Sequence, residues 1–242
     1  MFCVQCFCEF PAAVFPAHFL ACQEAHVTAA AARLRVPPAV ARAFLESTAT
    51  CPPASPITPA LYLGNAGAAR DAAWLAATGI TTIVNCANEV TSLPPDEAAA
   101  VGIRTTLRLE MADLDTYDAT PALMRGSDAV HDAVTAGEKV LVHCAVGASR
   151  SASVVLAYLM RHHGMTLLDA LTKTKTDRPL VSPNLGFMVR LIKLERDVRG
   201  AITIPRAALV LHRSYKHAVD NDAEADAFIA GIVGPGYVDA AP

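Results

Sequence analysis

Residues Val140 to Tyr158, VLVHCAVGASRSASVVLAY, decide how the rest of the chain is read. Val140, Leu141 and Val142 open the stretch as a short buried strand. Ala152 to Met160, rich in Ala, Val and Leu and free of Gly and Pro, reads as a buried helix. Between them His143 to Arg150 forms a tight loop of small residues with one Cys, one Gly and one Arg. A strand, a small-residue loop and a helix make an anion cradle. The loop N–H groups converge, and the helix N-terminus adds the positive end of its dipole. A cysteine at the mouth of such a cradle sits where negative charge is favoured, so Cys144 is expected to ionise readily and act as a nucleophile. Arg150, six positions on, carries a planar fork that binds two oxygens of one phosphate, which a lysine point charge does not match.

The spacing Cys144-x5-Arg150, with His143 before it and Ser151 after it, resembles the signature of the cysteine-dependent protein tyrosine phosphatases. The fuller string HCAVGASRS is similar to that of the dual-specificity branch, in its small atypical form. The bland alternative is a structural cysteine in an ordinary strand–helix turn, since a free Cys usually behaves as a small hydrophobe. The resemblance implies an α/β fold: a central, mostly parallel five-stranded sheet flanked by helices. It implies a cysteinyl-phosphate intermediate on Cys144 and no cofactor for catalysis. The N–H groups of Ala145, Val146, Gly147, Ala148, Ser149 and Arg150 would bind the phosphate oxygens. Ser151 would donate a hydrogen bond to the sulfur, and His143 would hold the loop and lower the thiol pKa through hydrogen bonds of its own.

Such an enzyme also needs a proton for the leaving oxygen, which a nearby carboxylic acid supplies. Met111 to Pro121, MADLDTYDATP, is an acidic, turn-rich loop between a strand and a helix. In the family the acid lies on this loop, and Asp113 fits its distance from the nucleophile best. Asp115 is second and Asp118 third; a solvated loop charge or a helix cap is the other reading of any one of them.

Composition sets limits. The chain has 242 residues, enough for one substantial domain with extensions. Charged residues make up only 18% and the formal net charge is −3, so nothing draws the chain toward nucleic acid or an anionic membrane. No apolar run approaches the ~20 residues of a membrane span. The first residues, MFCVQCFCEF, lack a basic stretch, so a secretory signal is not expected. Seven cysteines, one of them needed as a thiolate, fit a reducing compartment, cytoplasmic or nuclear.

Residues 1–28 form a separate segment. Cys3, Cys6, His18 and Cys22 stand as C-x2-C-x11-H-x3-C, a donor set suited to tetrahedral zinc. Phe10 and Phe15 stand where a small finger packs its core, and the pattern resembles a C2H2-type finger with Cys as the last ligand. Cys8 and His26 are substitutes for Cys6 and Cys22. The other reading is an apolar, cysteine-containing tail packed on the main domain. With few basic residues there, a protein contact or a structural role is expected rather than DNA reading.

Residues 29–56 read as two short helices and a Pro-rich linker, CPPASP. Residues 57–198 read as the phosphatase-like domain and 199–242 as an extension. Within the domain, Ile57 to Gly64 is expected as a strand and Ala68 to Thr78 as a helix stopped at Gly79. Strands follow at Ile80–Asn88 and Ile103–Leu109, then a helix at Ala122–Ala136. Cys86 is a core cysteine or a thiol that protects the nucleophile. His162 and His163 end the signature helix and point in different directions, so they read as a cationic last turn rather than a metal site. Thr166 and Asn184 cap two further helices, and Arg178 and Asn184 read as supports of the phosphate loop. Ile202 to Ile204 is expected as a short strand, and Ala207 to His217 as a helix with a basic face.

The loop's variable residues, Ala145, Val146 and Ala148, carry no charge. Polyanionic substrates such as inositol phospholipids are therefore disfavoured, and a phosphorylated Tyr, Ser or Thr on a protein is the expected substrate. Two alternatives are a phosphate-binding pseudophosphatase or adaptor, and a phosphatase of a non-protein ester.

Overall fold

The computed structural model describes residues 51–204 apart from Ser92, together with the backbone of residues 2–3 and 8–9. The latter form a minimal antiparallel pair, Phe2 opposite Glu9 and Cys3 opposite Cys8. Cys6, His18, Cys22, His26, the surroundings of Cys3, the helices expected within 28–50 and the helix expected at 207–217 lie outside the described residues.

Five strands form the main sheet: β1 (Ala54–Thr58), β2 (Leu61–Gly64), β3 (Thr82–Asn85), β4 (Thr105–Arg108) and β5 (Val140–His143). Their order is β1-β2-β5-β3-β4. β1 is antiparallel to β2, and every other pair is parallel. The expected mostly parallel five-stranded sheet is therefore present. β5 lies at its centre, with all four residues buried, as parallel strands covered on both faces require.

Side chains alternate along β5. Val140 and Val142 join the larger core and Leu141 the smaller one on the opposite face. The smaller core is closed by α1 (Ala72–Thr78) and α2 (Pro95–Ala100), through Leu75 and Ala98. The larger is closed by α3 (Thr120–Thr135), α4 (Arg150–His163), α5 (Leu167–Asp177) and α6 (Leu185–Arg199). Residues 150–160 of α4 are buried on every side, which explains the lack of a polar stripe in that sequence. α3 approaches α4 closely at Gly126, where an added Cβ would lie 2.8 Å from Leu109 and Val154.

Several boundaries differ from expectation. Ile57–Gly64 is a hairpin, not one strand: the turn at Pro59–Ala60 is tied by Thr58 Oγ1, which accepts from the Leu61 N–H at 3.1 Å. β1 begins at Ala54, inside the stretch read as linker. The helix expected from Ala68 is a 3-10 turn, Ala68–Arg70, followed by α1, whose N-cap Asp71 accepts from the Trp74 N–H. Residues 202–204 form no strand. Instead the carboxylate of Glu195, fully buried, accepts from Thr203 N and Oγ1 and from Leu167 N, pinning the chain after α6 against the start of α5. Among the described residues no helix is long and apolar enough to cross a membrane.

Candidate active site

β2, β3 and β4 run parallel to β5, so their carboxyl ends open on the same edge as His143. The connection from β2 carries α1 on one face and the connection into β5 carries α3 on the other. The end of β5 is thus a switch point, where open α/β sheets place their ligands.

The loop after His143 has its carbonyls turned outward. Ala145 O accepts from Ala66 N at 3.1 Å and Ala148 O from Ser182 N at 2.8 Å. Val146 O and Gly147 O accept from the guanidinium of Arg178 at 3.2 and 2.9 Å. With the oxygens held from outside, the amides face the interior of the loop. Among the described residues, those of Ala145, Val146, Ala148 and Ser149 donate to no main-chain carbonyl. Arg178 is fully buried and also reaches Pro52 O at 2.7 Å, fastening the first strand's approach to the same loop. Gly147 has φ +76°, and a Cβ there would lie 2.5 Å from Gly64 O, so the turn admits only glycine.

Cys144 Sγ lies on the floor of this ring, 2% exposed, and accepts from Gly147 N and Ser151 Oγ, both at 3.2 Å. α4 starts at Arg150 with no side-chain cap and no acidic residue in its first turn. Its positive end therefore faces the cradle unneutralised.

Arg150 is 6% exposed and gripped by Glu89. Nη1 and Nη2 donate to the two Glu89 oxygens at 2.8 and 2.6 Å, and Nη1 also lies 3.5 Å from Met111 O. Burial works against the guanidinium charge. The Glu89 hydrogen bonds, the Cys144 sulfur and the Asp113 carboxylate outweigh it and hold Arg150 above its ordinary value. The same hydrogen bonds hold Glu89 below the usual carboxylate range. Nε of Arg150 is buried with no hydrogen-bond partner among the described residues, 3.8 Å from Asp113 Oδ2. An end-on carboxylate thus leaves the Nε edge of the fork for a second oxyanion.

Asp113 comes to this edge. Its Oδ1 accepts from Ser149 Oγ at 2.7 Å and Asn184 Nδ2 at 2.8 Å, which leaves Oδ2 toward Arg150. Ser149 Oγ also accepts from Asn184 N, so cradle, acidic loop and the N-cap of α6 are one network. Asp115 packs against the start of α6. Its carboxylate lies 3.4 Å from Gly186 N, and its main chain packs so closely on Gly186 that a Cβ would meet Asp115 O at 2.0 Å. Asp118 accepts from Thr120 N and Oγ1 and lies 3.6 Å from Arg190, as a cap and surface pair.

His143 is fully buried beneath the loop, and its ring meets the main chain of Cys144, a polar contact too poorly aligned to count as a regular hydrogen bond. Burial pushes its pKa down to about 4, against the contact with the Cys144 main chain and with the charge of Arg70 adding a little. It is neutral filler under the cradle, and its carbonyl accepts from Cys86 N at 2.8 Å. Cys86 is fully buried; burial first, and the Cys144 sulfur second, pushes its thiol well up. His162 lies against Asp128 and stacks on His131, while His163 bonds Tyr158 Oη, so the two histidines do diverge. Among the described residues no group of three or more His, Cys, Asp or Glu could hold a metal ion.

Sequence reasoning missed Glu89. No spacing marks a glutamate four residues past a strand, and only the fold carries it to Arg150. It also placed Asn184 as a loop support without its bond to Asp113.

Residues 61–197 match the family described as "Dual specificity phosphatase, catalytic domain". Dual specificity protein phosphatase 26 of Bos taurus is 36% identical over 180 residues, 70% of this chain and 84% of the relative. Dual specificity phosphatase 28 of Mus musculus is 38% identical over 160 residues, 66% of this chain and 94% of the relative. A crystal structure of a mouse putative dual specificity phosphatase complexed with zinc tungstate aligns with TM-score 0.57 and 37% identity, over 63% of this chain and 92% of that one. The family match spans more than half of the sequence and contains the whole cradle, and the chain belongs to the dual specificity phosphatases, enzymes that hydrolyse phosphate monoesters of protein Tyr, Ser and Thr.

Proposed function

We propose that Cys144 is the nucleophile and Asp113 the general acid of a two-step phosphate transfer. The Cys144 thiolate attacks phosphorus, an S–P bond forms, and the P–O bond to the leaving group breaks. Oδ2 of Asp113 delivers its proton to the departing oxygen. Water then attacks the cysteinyl phosphate, Asp113 takes up a proton, and the S–P bond breaks to release inorganic phosphate. Ser151 Oγ, 3.2 Å from Sγ, stabilises the returning thiolate. The amides of Ala145 to Arg150 and the Nε edge of Arg150 bind the equatorial oxygens as preorganised donors. The observation that carries this reading is the sulfur on the floor of a ring whose carbonyls are bonded outward. All these steps use side chains and main-chain amides.

The neutral Ala145, Val146 and Ala148 support phosphoproteins as substrates, in the cytosol or nucleus, where thiols stay reduced. For residues 1–28, the spacing of Cys3, Cys6, His18 and Cys22 supports a structural zinc and a protein-contact role. Zinc content of the purified chain with and without residues 1–28 tests that assignment; equal content in both removes it. Cys144→Ser tests the chemistry. Aryl phosphate turnover should fall by at least about 10⁴-fold while phosphopeptide binding survives. Substantial turnover in that variant would refute the assignment.

A further inference from the structure

Leu109 and Glu110 run on from β4 into Met111, beside Arg150, and on to Asp113. Along this segment lies a groove of about 290 Å³, lined in part by Arg108, Glu110, Tyr117, Pro121 and Arg125. Two cations therefore face one anion. Arg108 commits one terminal nitrogen to Asn88 O, and Arg125 is exposed, its guanidinium without a hydrogen bond or ion pair among the described residues. Glu110 pairs with neither; only its carbonyl is engaged, by Tyr117 Oη. Pro121 and Ala122 bring the first turn of α3 to the same groove; the Asp118 carboxylate just before that turn is taken up by Thr120 N and Oγ1 and lies 3.6 Å from Arg190, so the groove's excess positive charge rests on its two arginines.

We propose that this groove is a subsite for an acidic side chain, Asp or Glu, flanking the phosphorylated residue of a protein substrate. The proposal rests on the phosphoprotein reading above and adds a sequence preference to it. Glu110 stands three residues before Asp113, at most about 10 Å of extended chain. A bound peptide would thus place a position within a few residues of its phosphate over Arg108 and Arg125. The carboxylate of such a residue meets two guanidiniums. A neutral residue leaves them solvated as they are, so the gain appears in KM and not in the chemical step.

The test compares phosphotyrosine peptides of equal length that carry Glu or Gln at the flanking positions, with p-nitrophenyl phosphate as a substrate too small to reach the groove. The native chain should show a KM about three- to ten-fold lower for the Glu peptide, as one or two exposed ion pairs allow. Arg125→Gln should shrink that ratio and Arg125→Glu should abolish or invert it, with p-nitrophenyl phosphate turnover unchanged in both. Raising salt should erode the ratio most in the native chain and less in Arg125→Gln, where Arg108 alone remains. A ratio near one in the native chain overturns the proposal, as does a ratio that Arg125→Glu leaves intact. If the native chain turns over neither peptide nor aryl phosphate, the catalytic reading fails instead, so the two failures are told apart.

Discussion

The loop of the proposed nucleophile and the loop of the proposed acid are held in opposite ways. From His143 to Arg150 the fastening is to main-chain carbonyls: Arg178, Ala66 and Ser182 grip four successive oxygens from outside, and the sulfur is almost fully buried. From Met111 to Asp118 the carboxylate proposed as the acid, Asp113, is fastened by side chains, Ser149 and Asn184, and remains well exposed. The contrast follows from the tasks. A ring of donors must be fixed before the substrate arrives, because any reorganisation would subtract from its effect. A proton donor must meet both a leaving group and water, so it has to stay at the surface. The cradle is therefore part of the fold's core, and the acid is an accessory docked upon it.

This difference predicts that cradle variants lose stability and activity together, while acid-loop variants lose activity alone. Arg178→Met is the harshest test. It fills the same space but strands the carbonyls of Val146, Gly147 and Pro52 in the interior, where each lost partner costs about 1–3 kcal/mol. Denaturant melts should show a loss of about 3–5 kcal/mol, with activity falling in parallel. Full stability with lost activity would mean that the cradle is not part of the core at all. Asp113→Asn comes next. It keeps the shape and should leave the melt within about 1 kcal/mol while kcat for an alkyl phosphate drops about 10²–10⁴-fold. For an aryl phosphate, whose leaving oxygen needs less help, the drop should be smaller. Should Asp115→Asn give that pattern instead, the acid has been misassigned.

The same asymmetry governs what could be read from the sequence. The cradle was legible because its constraints are local: Gly147 supplies a positive φ, small residues allow the amides to converge, and Cys144 and Arg150 sit at fixed chain distance. The central strand and helix were legible because Val140–Val142 and Ala152–Met160 are apolar without a polar stripe. The proposed acid was legible only as a choice among three aspartates, since what brings Asp113 to the cradle is Asn184 and Ser149, remote in sequence. Glu89 was not legible at all. The hairpin at Ile57–Gly64 was missed because Thr58 and Ala60 make a turn with no glycine to mark it. Residues 202–204 were mistaken for a strand because β-branched residues signal one locally, whereas a buried carboxylate from α6 decides the outcome.

A third prediction separates the cradle's base from its rim. His143 has a folded pKa of about 4, below its ordinary 6.5, because burial opposes the charge. As pH falls, the unfolded chain binds the proton first. The stability is complete above about pH 6.5, declines between 6.5 and 4, and levels off below, a loss of about 3 kcal/mol in total. His143→Gln should flatten that part of the acid limb in melts taken at pH 7, 5.5 and 4. An unchanged slope in the variant would assign the acid sensitivity to other groups.

The smallest effect sharpens the comparison most, because Glu89 belongs to neither loop. Its side chain is 57% exposed, yet it holds the two terminal nitrogens of a guanidinium that is itself buried. Glu89 is itself half in solvent and Gln keeps one acceptor for the buried guanidinium, so Glu89→Gln should cost no more than about 1 kcal/mol in the melt. Its consequence is geometric. A carboxylate placed end-on turns the Nε edge toward the cradle, and an amide offers only one acceptor oxygen for the same grip. The fork should then sample other orientations and bind phosphate less well. The expected outcome is about a ten-fold weaker inhibition by inorganic phosphate or tungstate and a similar rise in KM for a phosphopeptide, with kcat falling less. If kcat fell by orders of magnitude with KM unchanged, Glu89 would be acting on the transition state alone. If nothing changed, the main-chain cradle and the Met111 carbonyl would suffice to aim Arg150, and the rim would be as fixed as the floor.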